Sequence, residues 1–265
     1  MLMERARVRA EPAVRYLGFT GSNLALPYLI ETFYGLSSVG QSGFMYMRDK
    51  QACEDALLAA LDERGATSTG WYLLYRLDVS DEHTLPRTLA WLADADPTRR
   101  ADAACALTGY RHSGDVPLQA LLGAVGDEDP YVRRAVVYAL DRFPADEATT
   151  ALLTASRDVD ENVRAAAAVT LRNKRGPTVI PRLTELLQDV VLVAFQAIRN
   201  LADFDGPRPP GVAAPDADAA DAATAALRTG LDAPDEDVRV EIALILLGRG
   251  DDTVRDALAA NLQQR

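Results

Sequence analysis

The ionisable side chains that recur most regularly are an aspartate and an arginine four residues apart: Asp96 with Arg100, Asp129 with Arg133, Asp160 with Arg164 and Asp235 with Arg239. A carboxylate and a guanidinium at this spacing can pair with neighbouring groups or contact a charged ligand. The aspartates stand three residues before the first position of a helical stripe, where a carboxylate accepts backbone N–H groups. They read as helix caps before anything else. Pro97 and Pro130 follow two of them, at the helical position where a missing N–H costs nothing.

Other reactive side chains are sparse. The two cysteines, Cys53 and Cys105, fall within helical patterns and read as free buried thiols, and the two histidines, His83 and His112, fall between helices. No metal-ligand cluster follows from that distribution, and no cofactor is expected. Gly40-Gln-Ser-Gly43 has neither the spacing nor the lysine of a phosphate-binding loop. No nucleophile, base and orienting group assemble from spacing. Aromatic residues are the remaining candidates: seven of the 17 lie in residues 1–50. Phe44, Tyr46, Tyr72 and Tyr34 could wall a pocket, the tyrosine hydroxyls supplying its polar tips. Trp71 and Trp91 occupy apolar-stripe positions and read as core.

The element that positions these residues is a helix with a leucine-type anchor at its end. The anchors Tyr75, Leu107, Leu140, Leu171, Leu201 and Leu246 are separated by steps of 32, 33, 31, 30 and 45 residues. Eight residues before each stand Thr67, Arg99, Val132, Val163, Val193 and Val238, so the entire helix repeats. Val132, Val136, Ala139 and Leu140 fall at i, i+4, i+7 and i+8, one apolar stripe, and Val163, Ala167, Thr170 and Leu171 repeat it with smaller side chains. A second helix precedes each acidic turn, its start marked by Pro86, Pro117 or Pro181 and its body by Leu89 and Leu92, by Leu121, Leu122 and Val125, or by Leu183, Leu186 and Leu187. No such unit buries its stripe alone; stacked neighbours complete the core. The expected fold is an all-α, right-handed α-solenoid of about six helix pairs.

Asp-x-x-Val-Arg followed by an alanine-rich helix, seen at Asp129/Val132/Arg133, Asp160/Val163/Arg164 and Asp235/Val238/Arg239, resembles the HEAT repeats, in the short bacterial form also found in phycobilin lyases. The resemblance covers roughly residues 53 to 262. It implies that Arg100, Arg133, Arg164 and Arg239 contact the turn aspartate of a neighbouring repeat, a structural ladder interrupted where Ser68 and Ala194 replace the arginine. For function the family implies binding scaffolds with scattered enzymes.

Charge narrows the partners. The chain carries a net charge of −11, and residues 1–50 contribute six Lys/Arg against four acids, which leaves −13 on the repeats. So acidic a surface repels phosphate backbones and favours a basic partner. A nucleic-acid partner is not expected, although the resemblance also admits a HEAT-like DNA glycosylase as a minor alternative. No run of about 18 apolar residues is present and the N-terminus lacks the apolar block of a signal peptide, so a cytoplasmic protein without a membrane span is expected.

Two segments break the pattern. Residues 1–50 form an atypical aromatic-rich segment, a cap over the first repeat or a lid over a pocket, ahead of an array at 51–265. In the array, Asp189-Val-Val-Leu-Val-Ala-Phe195 places Val190, Val191 and Leu192 where the other repeats carry acids, an apolar patch for a partner unless the insertion at 205–218 covers it. That insertion is rich in Pro, Gly and Ala and reads as a loop. The primary expectation is a non-catalytic scaffold binding a protein or peptide along its concave face. The alternative is a small-molecule-binding protein or an enzyme of lyase, cyclase or isomerase type, with a pocket at the N-terminal segment.

Overall fold

A computed structural model describes residues 26–35, 47–64, 81–108, 110, 115–174, 178–203 and 217–255. They contain twelve α-helices and, among the described residues, no strand. The chain divides into two compact units, Met1–Leu121 and Leu122–Arg265.

The first unit, Met1–Leu121, contains α1 (Leu26–Gly35), α2 (Lys50–Arg64), α3 (Asp81–Trp91) and α4 (Pro97–Leu107), and α5 (Val116–Ala124) begins in it. Helix α1 packs on α2, and α3 on α4. One core joins Leu26, Leu29 and Met47 to Cys53, Leu57, Leu58, Leu61, Trp91 and Ala103. The N-terminal segment thus supplies apolar side chains to the same core as the first helices of the array. Trp91 is a core residue here; Trp71, Tyr75 and Thr67 lie outside the described residues. Cys53 is buried, and its thiol is pushed up to about 11, first by burial and then by the Asp49 charge. Cys105, expected to be buried, is exposed. Pro86 does not open its helix: α3 begins five residues earlier and contains the proline.

The second unit, Leu122–Arg265, is a two-layer stack. Helices α6 (Pro130–Leu140), α8 (Glu161–Leu171), α10 (Val191–Ala202) and α12 (Glu236–Gly248) pack side by side in one layer. Helices α7 (Asp146–Ala155), α9 (Val179–Leu186) and α11 (Ala217–Thr229) lie behind them, each paired with the helix that follows it in sequence. The stripe explains the pairing: Val132, Val136, Leu140, Val163, Ala167, Leu171, Val193, Leu201, Val238, Ile242 and Leu246 are all buried. Between them α8 presents four consecutive buried alanines, Ala165 to Ala168, which let α6 and α10 approach it from both sides. Of the insertion expected at 205–218, residues 205–216 lie outside the described residues, and its last two, Ala217 and Asp218, already belong to α11, which resumes the stack.

The close approach tightens at Gly230, in a single 3-10 turn at Gly230–Asp232. A Cβ there would lie 2.5 Å from Ile242 Cδ1 and 2.8 Å from Leu187 Cδ1, and both of those side chains are fully buried. Gly230→Ala is therefore expected to destabilise the protein by about 1–3 kcal/mol through overpacking. A chemical-denaturation midpoint equal to that of the parent would show that the two side chains have room to move.

Candidate functional site

The acids of the turns divide into two roles. The N-cap aspartates bind their own helices: Asp96 accepts the N–H of Thr98 at 2.9 Å, Asp129 that of Tyr131 at 2.7 Å, Asp160 those of Asn162 at 2.9 Å and Val163 at 3.2 Å, and Asp235 that of Val238 at 3.1 Å. A carboxylate committed in this way neutralises helix donors left without intrahelical partners.

The arginines reach a different acid. Arg133 donates from Nε and Nη2 to both carboxylate oxygens of Asp158, each at 2.7 Å, and from Nη1 to the carbonyls of Asp127 and Glu128 in its own turn. Arg164 repeats this one unit later, with both bonds to Asp189 at 2.8 Å and Nη1 on the carbonyls of Asp158 and Val159. The same Nη1 contacts recur for Arg100, on Asp94 and Ala95, and for Arg239, on Ala233 and Pro234. Each guanidinium therefore closes its own turn, and Arg133 and Arg164 also hold the next one. Burial alone would raise the Asp158 and Asp189 carboxyls, but the arginine hydrogen bonds, a backbone N–H and the nearby positive charges outweigh it and hold both below the ordinary range.

The expected contact with a turn aspartate of the neighbouring repeat is present for Arg133 and Arg164, but the aspartates that receive it are Asp158 and Asp189 and not the cap aspartates expected in the ladder. A signal was present, since Asp94, Asp127, Asp158 and Asp189 recur at the repeat spacing. Ser68 lies outside the described residues, and Ala194 occupies the arginine position of α10. A second set of cross-repeat bonds sits at the other helix ends. Lys174 Nζ donates to the carbonyls of Asp141 and Phe143 beyond α6, and Arg249 Nη2 to that of Ala202 at the end of α10 at 2.7 Å. Burial draws the Lys174 ammonium below its usual range against the opposing pull of Asp141. These contacts satisfy carbonyls left over at helix C-termini and are structural.

One ionisable group of the first unit was invisible to pattern reasoning. The Asp102 carboxyl on α4 is pushed up to about 6 by burial and, secondarily, by the charge of Asp96. No groups of three or more His, Cys, Asp or Glu that could hold a metal occur among the described residues. Of the aromatic pocket candidates, Phe44, Tyr46 and Tyr72 lie outside the described residues, and Tyr34 belongs to the backbone of α1.

Exposed apolar side chains concentrate on the second unit. At the turns, Val190, Val191 and Leu192 are each more than two-fifths exposed, and Val159, in the preceding turn, is 93% exposed. The α10 turn is one residue shorter than its neighbours: Asp189 both receives Arg164 and binds the N–H of Val190, and no side chain caps the helix. The missing cap acid is what leaves valines and a leucine at the edge. From that edge, exposed residues continue along the side of the layer turned away from α7, α9 and α11. Tyr131 and Tyr138 on α6, Val169 on α8 and Leu244 on α12 all remain exposed. On α8, between Tyr138 and the half-buried Phe195, Val169 is exposed while Ala165 and Ala166 are buried.

Residues 85–172 and 120–202 match the family model of HEAT repeats, a stretch that runs from α3 through α10. No curated protein matches the chain. No helix of the described residues is long and apolar enough to cross a membrane.

Proposed function

We propose that this chain, which carries HEAT repeats across residues 85–202, is a non-catalytic scaffold that binds a protein or peptide. The observation that carries the reading is the apolar edge formed by Val159, Val190, Val191 and Leu192 on consecutive turns of the second unit. A soluble surface rarely leaves four neighbouring aliphatic side chains in water unless something covers them. The repeats around them have their polar groups committed to caps and ladders, so the stack offers a rigid platform whose free surface is available for contact. Rigid platforms bind without first ordering themselves, which removes part of the entropic cost of association.

Val190→Asp combined with Leu192→Asp tests the edge. Both side chains are exposed, so the double variant is expected to melt within a few degrees of the parent. Affinity capture from cells of the source organism should recover a partner with the parent chain and lose it, by tenfold or more, with the variant. Equal recovery by both chains, with melting unchanged, would remove this edge from the binding surface.

A further inference from the structure

The guanidinium groups of the second unit are not evenly satisfied. Arg133, Arg157, Arg164, Arg172, Arg182, Arg228, Arg239, Arg249 and Arg255 each have a carboxylate, hydroxyl or carbonyl partner. Arg134, Arg142 and Arg199 have no hydrogen-bonding or ion-pair partner for the guanidinium among the described residues; Arg134 lies over the ring of Tyr131, 5.4 Å from its centroid. All three map to one place. With Tyr131 and Tyr138, Arg134 and Arg142 stand at i, i+3, i+7 and i+11 of the same side of α6 and its C-terminal turn, the side opposite the buried stripe. Arg199 is the equivalent of Tyr138 on α10, two helices across.

The charge of this face is opposite to that of the chain. On α6, α8 and α10 the outward positions hold Arg134, Arg142 and Arg199 and two acids that are already engaged: Asp203 is paired with Arg172 at 3.7 Å, and Asp141 accepts from Asn173 at 2.8 Å. Between the arginines lie exposed Tyr138 and Val169. Helices packed side by side are about 8–10 Å apart and rise about 1.5 Å per residue. Arg134 and Arg142 are therefore separated by roughly 12 Å along α6, and Arg199 lies about 20 Å across the layer. Exposed apolar side chains bordered by cations without a carboxylate partner at that spacing suit a segment whose apolar side chains are flanked by carboxylates. The net charge of −11 argues for the reverse, but at physiological salt it is screened beyond about 8 Å, so the charges in contact decide what docks.

We infer that the outward face of α6, α8 and α10 docks a protein segment carrying aromatic or aliphatic side chains flanked by Asp or Glu, with Arg134, Arg142 and Arg199 receiving the carboxylates. This rests on the scaffold reading and specifies the chemistry of its partner, placing the acid-reading groups on the helix sides and not on the turn edge. Three dispersed cations set among apolar residues suit separate carboxylates better than a continuous phosphate backbone, which demands a row of positive charge.

The test is selection of a random peptide display library on the full chain, followed by affinity measurement of the selected peptides. Sequences enriched in Asp or Glu beside aromatic or aliphatic residues are expected. Arg134→Glu with Arg199→Glu should weaken those peptides at least tenfold, leave melting unchanged, and shift a repeat selection toward Lys or Arg flanks. Several results would overturn the inference. Lys- or Arg-flanked peptides selected by the parent would do so while leaving the scaffold reading in place; no enrichment over bare matrix would remove both. Acid-flanked peptides insensitive to the arginine reversal would place their site elsewhere. Concentration-dependent self-association, or single-stranded DNA binding, abolished by the same reversal would assign the face to a second copy or to nucleic acid.

Discussion

Leu171→Ala is expected to lower stability by about 2–5 kcal/mol, the usual cost of emptying a fully buried leucine site. Leu171 ends α8, the helix that packs against both α6 and α10, and its side chain is inaccessible to solvent. The position is sensitive for a reason particular to this helix. Four of the residues preceding Leu171 are buried alanines, Ala165 to Ala168, so α8 has few large side chains able to fill a void. Its neighbours cannot readily slide inward either, because Arg133–Asp158 and Arg164–Asp189 fix the turns on both sides. The cavity should therefore remain open and the loss fall toward the upper part of that range. Leu140→Ala, equally buried on α6, should behave similarly. Urea denaturation followed by helical circular dichroism measures both, and losses below about 0.5 kcal/mol would show that the stripe does not form the core.

Arg164→Ala should have a comparable effect at neutral pH, about 2–4 kcal/mol, and a pH dependence that a packing defect would lack. The substitution removes two charge-assisted bonds to Asp189 and two to the carbonyls of Asp158 and Val159. It leaves a carboxylate whose side chain is only 17% exposed, so the cost is nearer to that of breaking a buried pair than to the small value of an exposed one. Asp189 in the folded parent is held below its ordinary range, since the guanidinium bond, the Val190 N–H and the charges of Arg164 and Arg182 together overcome burial. A carboxyl with a lowered folded pKa contributes stability that is fully present above its unfolded value, about 3.9, and is lost as pH falls through the folded value. The parent should thus lose this contribution in acid below about pH 4. In Arg164→Ala only burial and weaker attractions act on Asp189, so the variant has little of that contribution to lose. The difference between the two proteins should be largest near pH 7 and shrink at pH 3. A difference that stays constant from pH 7 to pH 3 would mean that Arg164 acts by packing and not through its charge.

The first unit illustrates where sequence reading stops. Residues 26–33 are legible in the sequence as a short helix, and the structure has it, as Leu26–Gly35. That Leu26, Leu29 and Met47 share a core with α2 and Trp91 is not legible, because the repeat does not extend into residues 1–50 and its period assigns no partners there. The exposed Cys105 and the raised Asp102 carboxyl are not legible either. Composition within one helix cannot say how much of its free side other elements enclose.

Within the repeats, much was written locally. The stripe, the cap aspartates and the positions of α4, α6, α8 and α12 follow from contacts within about ten residues, where spacing and side-chain type suffice: the 3.6-residue period sets which side is buried, and an acid three residues ahead of it satisfies the helix donors. The missing acid at Val190 and Val191 was legible for the same reason. What tertiary structure decided spans a whole repeat. Arg133 meets Asp158 and Arg164 meets Asp189 across 25 residues, and only the stack determines that the turn acid, not the cap, receives the guanidinium. The isolation of Arg134, Arg142 and Arg199 is a fact of the same kind. They lie outside the Asp-x-x-Val-Arg spacing, but so do Arg157 and Arg172, which are paired; whether such a guanidinium finds a carboxylate depends on which helix lies beside it, and on the outward face of α6, α8 and α10 Asp203 is already paired with Arg172 and Asp141 with Asn173.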